Sequence, residues 1–229
     1  MKLFKSLAVV AALAAFAGSA QAQVRITEVS PWSSSAGNSP YAADWFELTN
    51  TGSTMVNLAG WSMDDDSAVA GIAPLSGVAS LGAGQSAVFI DTAVAGDAAK
   101  IASFKATWFG TNVPTNFLIG TYTGTGVGLS TGGDQVNVFD NSNTLQAKVI
   151  FGAVTNAKGP TLDNAAGLNG VTISTLSIVG TNGAFSAVND PLEIGSPGSI
   201  AAVPEPETYA MLLAGLALIG GIARRRKAA

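Results

Sequence analysis

Asp44-Trp45-Phe46-Glu47-Leu48-Thr49-Asn50 alternates its side chains along an extended chain, with Phe46 and Leu48 on one face and Trp45 and Glu47 on the other. A period of two with aromatic and aliphatic residues predicts a β-strand with one buried face. Asn50-Thr51-Gly52-Ser53 then returns the chain, and Leu58-Ala59-Gly60-Trp61 places a large ring beside a glycine that leaves room for it. Trp61 is expected to close one end of a sandwich.

Short β-rich runs separated by Gly, Asn, Ser and Asp recur on both sides of this stretch. The expected strands are 24–29, 44–49, 55–63, 85–92, 135–139, 145–151 and 171–179. Val136 and Val138 share one face of their run, and Asp140-Asn141-Ser142-Asn143 reads as the turn of a hairpin into Leu145. One helix is expected, over 97–105 (DAAKIASFK), with Trp108 and Phe109 packing after it. Gly124–Gly133 lacks the GK[ST] ending and the following helix of a phosphate-binding loop, and so reads as a plain loop. This punctuation favours an all-β, antiparallel sandwich.

Composition narrows the chemistry. The 229 residues include no histidine and no cysteine. Their absence removes His-dependent triads, Cys nucleophiles, disulfide frameworks and ordinary zinc sites. Residues 23–203 hold 13 acids and 5 bases, a net charge of −8, although the whole chain carries −4. An acidic body is repelled by phosphates, so nucleic acid is not an expected partner.

The basic charge sits at the ends. Lys2 and Lys5 precede the apolar run Leu7–Phe16, and Ala20-Gln21-Ala22 offers small residues where a signal peptidase reads. Residues 1–22 are therefore expected to be a signal peptide with a helical apolar core, cut after Ala22. At the other end, residues 208–223 (TYAMLLAGLALIGGIA) form an apolar stretch followed by Arg224-Arg225-Arg226-Lys227. Its 16 residues would reach about 24 Å as a helix. That is short of a hydrocarbon core of roughly 30 Å, and arginine snorkelling with local thinning would make up the difference. A single transmembrane helix is expected, its basic block holding the C-terminus in the cytoplasm.

Val203-Pro204-Glu205-Pro206-Glu207, the apolar stretch and the Arg224–Lys227 block, in that order, resemble a PEP-CTERM sorting signal over 203–229. The resemblance implies a Gram-negative exported protein cut near Pro204-Glu205-Pro206 by an exosortase, then passed to the surface, often alongside exopolysaccharide. Independently of it, two prolines forbid helix and hold an accessible extended segment before the span.

The body, 23–202, has its own resemblance. Ile26-Thr27-Glu28-Val29, the Asp44–Asn50 strand, Leu58-Ala59-Gly60-Trp61, Gly133-Asp134-Gln135-Val136-Asn137-Val138 and a closing Ser196-Pro197-Gly198 together look like a lamin tail domain. Val138 stands where the family has leucine. The resemblance implies an immunoglobulin-like β-sandwich acting as an interaction module, with residues 93–132 longer than the pattern expects.

Candidate chemistry is sparse. Asp64, Asp65 and Asp66 form the densest acidic cluster and could offer oxygens to Ca²⁺, though without an EF-hand spacing; a solvated loop is the plainer reading. Asp134, Asp140 and Asp163 could join from a distance. Trp45 and Trp61 read as core residues, with a sugar-stacking platform as the alternative. Glu28 and Glu47 are the pair a carboxylate hydrolase would need. The leading expectation is a non-enzymatic surface or matrix protein that meets signal peptidase and exosortase, then exopolysaccharide or other surface proteins. A Ca²⁺-dependent or Trp-mediated carbohydrate-binding module is the second, and a hydrolase the third. Intact-mass spectrometry of the surface-released protein should give Gln23 as its first residue; a retained 1–22 segment would refute the signal-peptide reading.

Overall fold

Trp45–Asn50 does form a strand, but its two faces are both buried, every residue of the six being inaccessible. The computed structural model describes residues 24–34, 38–154, 159–199 and 215–216. Its elements in chain order are β1 (Val24–Ser30), β2 (Trp45–Asn50), β3 (Val56–Asn57), β4 (Ser62–Asp64), β5 (Ala73–Ser76), β6 (Ser80–Leu81) and β7 (Ser86–Asp91). Helix α1 (Ala98–Phe109) and β8 (Leu118–Tyr122) follow, then β9 (Gly133–Phe139), β10 (Leu145–Gly152), β11 (Leu162–Asp163), β12 (Val171–Ile173), β13 (Phe185–Ala187) and β14 (Asp190–Gly195). Residues 24–199, where described, are thus mostly β with the one short helix α1, consistent with an immunoglobulin-like sandwich.

Ten strands hydrogen-bond in the order β11-β1-β2-β7-β8-β5-β4-β9-β10-β12. β5 pairs both β8 and β4, which folds this ribbon into two layers, and β1 packs over β10 to close the sandwich. Between the layers lie Ile26, Phe46, Leu48, Met63, Phe89, Val136, Val138, Val149 and Phe151, all nearly inaccessible. Alternation explains the two long strands on the far side, where Ala147, Val149 and Phe151 of β10 point inward against Val136 and Val138 of β9.

Two pairings depart from the antiparallel expectation: β7 with β8, and β10 with β12, run parallel. A parallel pair needs a crossover, and α1 supplies the first one. The expected 55–63 strand is instead β3 and β4 on either side of a turn, with Gly60 at φ 77° and Trp61 N–H donating to the Leu58 carbonyl at 3.1 Å. Of 171–179 only Val171–Ile173 pairs as a strand, with Leu176 bridging separately to Leu162.

The helix buries Trp45 on the outer face of β2. Asp97 caps it, its Oδ1 accepting from the Ala99 and Lys100 amides at 3.0 Å each. Ile101, Phe104 and Trp108 recur along one side and form a second core with Tyr41, Trp45, Val88 and Ile90. Trp45 meets Trp108 edge-on with ring centroids 5.8 Å apart, and meets Phe104 at 5.6 Å. The turn between β13 and β14 then stops the helix. Asn189 donates to the Ala106 and Thr107 carbonyls at 2.7 and 2.9 Å, and Val188 N–H to the Trp108 carbonyl at 3.2 Å. The helix therefore runs to Phe109, four residues beyond the expected end at Lys105.

No helix among the described residues is long and apolar enough to cross a membrane. The expected signal helix, residues 1–22, lies outside them, as does the expected span 208–223 apart from Gly215 and Leu216.

Gly120 marks the tightest crossing. A Cβ there would collide with the Ser76 carbonyl oxygen of β5 and lie 2.8 Å from the Phe89 ring. Gly120→Ala should destabilise the domain by about 1–3 kcal/mol through overpacking. A urea midpoint unchanged from the wild type would refute the close approach.

Candidate functional site

Glu28 and Glu47 stand opposite one another across β1 and β2, in the register Glu28↔Glu47, next to a bulge between Ile26 and Glu28. Both are buried. The Glu28 carboxylate accepts from Thr161 Oγ1, from the Ser196 amide at 2.9 Å and from Ser196 Oγ at 3.3 Å. The Glu47 carboxylate accepts from Thr27 Oγ1 at 2.7 Å and from the Gly198 amide at 2.5 Å. Hydroxyl chains extend each acid inward: Thr27 to Thr49 to Ser86, at 2.9 and 2.7 Å, and Thr161 to Ser177 at 2.7 Å.

The pair is thus a latch for Ser196-Pro197-Gly198. Two glycines make the approach possible. A Cβ on Gly195 would strike Glu28 Oε1 and the Trp108 ring, and Gly198 adopts φ 81° against the Phe117 ring.

Burial and mutual repulsion push the Glu28 carboxyl well above the usual range, and burial raises Glu47 from its ordinary 4.5 to about 7. Asp44, also largely buried, rises to about 7 despite accepting from Ser34 N–H at 2.9 Å and Ser34 Oγ at 2.8 Å. A hydrolase would need both glutamates open to a shared cleft. Instead they are enclosed and bonded to loop amides. A pocket of about 230 Å³ beside Trp32, Leu162, Ile173 and Leu176 has no carboxylate in its lining and is smaller than typical ligand sites.

The aspartate triplet divides. Asp64 turns inward, where its Oδ2 takes Ser67 Oγ at 2.5 Å and the Val69 amide at 2.6 Å and so folds the β4–β5 turn. Asp65 and Asp66 point outward and converge with Asp134 at the start of β9, one carboxylate oxygen of each lying within 4.8 Å of the other two. The triplet in sequence is therefore not the triplet in space, because a strand end reverses direction at Asp64.

Asp140 stays apart and caps the β9–β10 turn, accepting from the Ser142 and Thr144 amides at 2.8 and 2.9 Å, which hold its carboxyl below the usual range. Asp163 accepts from Asn182 Nδ2 at 2.9 Å near Glu28. Trp45 and Trp61 are both core residues, at 0% and 6% exposure, so neither is a sugar platform. Ala20, Ala22, Pro204, Glu205, Pro206 and Arg224 to Lys227 lie outside the described residues.

The family model of the Lamin Tail Domain matches residues 17–153, more than half of the chain. The chain belongs to the lamin tail domain family. The matched segment of this lamin tail domain ends just after β10, so the Ser196–Gly198 segment, and Thr161 and Ser177 of the hydroxyl chain on Glu28, fall beyond it. A second model, the PEP-CTERM protein-sorting motif, matches residues 202–227. That motif implies an exported protein sorted at the membrane and processed by an exosortase. No curated protein and no solved structure matches the chain.

The raised carboxyls set a pH dependence. Each favours the folded state fully below its unfolded pKa, and that stability is lost as pH rises through the folded value. Melting temperature should therefore fall between about pH 4.5 and about pH 7. Glu47→Gln should make the profile shallower, since its amide can give to Thr27 while its oxygen keeps Gly198. A profile that the substitution leaves unchanged would refute the latch's titration.

Proposed function

We propose that this protein is a non-enzymatic surface module, exported, cut near Pro204-Glu205-Pro206 and delivered to the cell exterior. There its lamin tail sandwich acts by contact within an exopolysaccharide matrix or between cells. The observation that carries this reading is the sorting motif at 202–227, which follows the folded body almost directly.

The carboxylate inventory supports the non-enzymatic part. Glu28 and Glu47 are bonded to the closing segment and Asp64 to its own turn, while Asp140 caps a hairpin. With histidine and cysteine absent from the chain, little acid–base vocabulary is left for a reaction.

Geometry supports the sorting part. Between Ser199, next to the latch, and Pro204 the chain advances five residues, at most about 18 Å even fully extended. The body is held close to the cut site, so a processing enzyme must work within reach of a folded domain.

Glu205→Ala should leave full-length chain in the inner membrane and remove it from the surface fraction, read by immunoblot of separated membranes and medium. Surface delivery at the wild-type level would overturn the reading. Cells lacking the protein should aggregate less in exopolysaccharide-producing culture, with recovery by the wild type and not by the Glu205 variant.

A further inference from the structure

Where the chain leaves the body, two bare aliphatic side chains stand beside it. Ser199 follows the latch, and a Cβ on Gly183 would lie 3.2 Å from its Oγ. Gly183 belongs to the 178–184 turn, which is closed on itself. The Thr181 amide donates to the Ile178 carbonyl at 2.9 Å, and the Ala184 amide to the Thr181 carbonyl and the Gly180 amide to the Ala184 carbonyl at 2.8 Å each. Buried Ser177 ties the turn to the body, its amide donating to the Thr161 carbonyl at 2.9 Å. Ile178 and Val179 open the turn and are 64% and 55% exposed.

The backbone does not ask for these two residues. Gly180 and Gly183, both at φ 82°, and Asn182 supply what a reversal needs. Ile178 and Val179 therefore leave apolar surface in water without serving the turn. Charge also sets this region apart. The body carries a net charge of −8, yet residues 164–189 include no Asp, Glu, Lys or Arg, and neither do residues 194–204. Asp163, just before the uncharged stretch, is engaged by Asn182 Nδ2 of the turn at 2.9 Å.

We infer that Ile178 and Val179 form a membrane-contact tip that seats the body on the lipid surface while the tail holds the chain there. The inference rests on the sorting route proposed above, in which residues 208–223 span the bilayer.

Chain length points to lipid as the occupant. From Ser199 to Thr208 the chain advances nine residues, at most about 32 Å fully extended. A folded domain of roughly 180 residues is about 40 Å across. The tether is shorter than the body is wide, so the end that carries Ser199 and the 178–184 turn is the end turned to the bilayer. Tethering makes the encounter intramolecular, with an effective concentration of roughly millimolar. Two aliphatic side chains then suffice for a contact that would not hold a free protein. An acidic body also meets an anionic bilayer at least cost through an uncharged region. Docked in this way, the body would keep Pro204-Glu205-Pro206 at the membrane face until the cut. Afterwards the tip alone is too weak an anchor, and the body leaves.

Because the chain has no cysteine, a single one can be placed and labelled. Full-length Val179→Cys, carrying an environment-sensitive fluorophore, is reconstituted in vesicles of phosphatidylethanolamine with phosphatidylglycerol as the minor lipid. Flotation with the vesicles reads anchoring, and quenching by nitroxide-labelled lipid reads contact at the tip. The chain should float, and the label at position 179 should be quenched. A label on Ser142→Cys, in the β9–β10 turn of the other layer, should not be. With the label moved to Thr181→Cys, Ile178→Ser together with Val179→Ser should lower the docked-to-free ratio about tenfold or more. Flotation and melting temperature should stay as they were, since both side chains are exposed.

A floating chain whose label at 179 is unquenched would overturn the tip and leave the sorting route standing. So would a label shielded from water yet unquenched by lipid, because protein, either residues 200–203 or a second copy, would then cover the tip. Quenching that survives the double serine variant would overturn it as well. A chain that does not float would overturn the anchoring and the tip together.

Discussion

Two carboxylates facing each other across β1 and β2, with hydroxyls and amides as partners and no cation among the charges that act on them, are the constraint around which the body is arranged. Burying like charges side by side is unfavourable unless protons and donors compensate. The donors come from far along the chain: Thr161 from the bridge before β11, Ser196 and Gly198 from the segment after β14. Satisfying Glu28 and Glu47 therefore requires the C-terminal part of the body to fold back onto its first two strands. That return leads β13 and β14 past α1, where Val188 and Asn189 occupy the helix's last carbonyls.

The double burial of β2 follows from the same arrangement. Phe46 and Leu48 belong to the core between the layers, while Trp45 belongs to the core under α1. A chain without disulfides has no covalent staple to help a small core. Two stacked cores sharing one strand give the fold more apolar contact than a bare two-layer sandwich would.

Much of this was legible in the amino-acid order, and what was not has identifiable causes. Strong alternation marks β2, β9 and β10, and the Asp97 cap with its apolar spacing marks α1. β5, β6, β11 and β13 are two to four residues long, too short for a period to appear. β8 contains Gly120, which weakens any strand pattern yet is required by the Ser76 carbonyl. The second face of β2 was hidden because alternation reports what one strand offers, and not what later packs on it. Glu28 and Glu47 stood out as acids in strands, but their partners are up to 168 residues away and leave no local trace. In the acidic cluster Asp65 and Asp66 were visible, whereas the inward turn of Asp64 and the arrival of Asp134 depend on tertiary register.

The latch also has a mechanical meaning. A protein held at its surface by a C-terminal tail receives load through that tail. Were this body tethered through the chain after Gly198, load would enter at Ser196–Gly198 and pass directly to β1 and β2, beside Val24, the first residue of β1. The two ends of the force path thus lie on neighbouring strands, and the far layer of β4, β9, β10 and β12 is bypassed. Shear at such an anchor would be resisted by several buried carboxyl–amide and carboxyl–hydroxyl hydrogen bonds acting together, while the far layer stays folded.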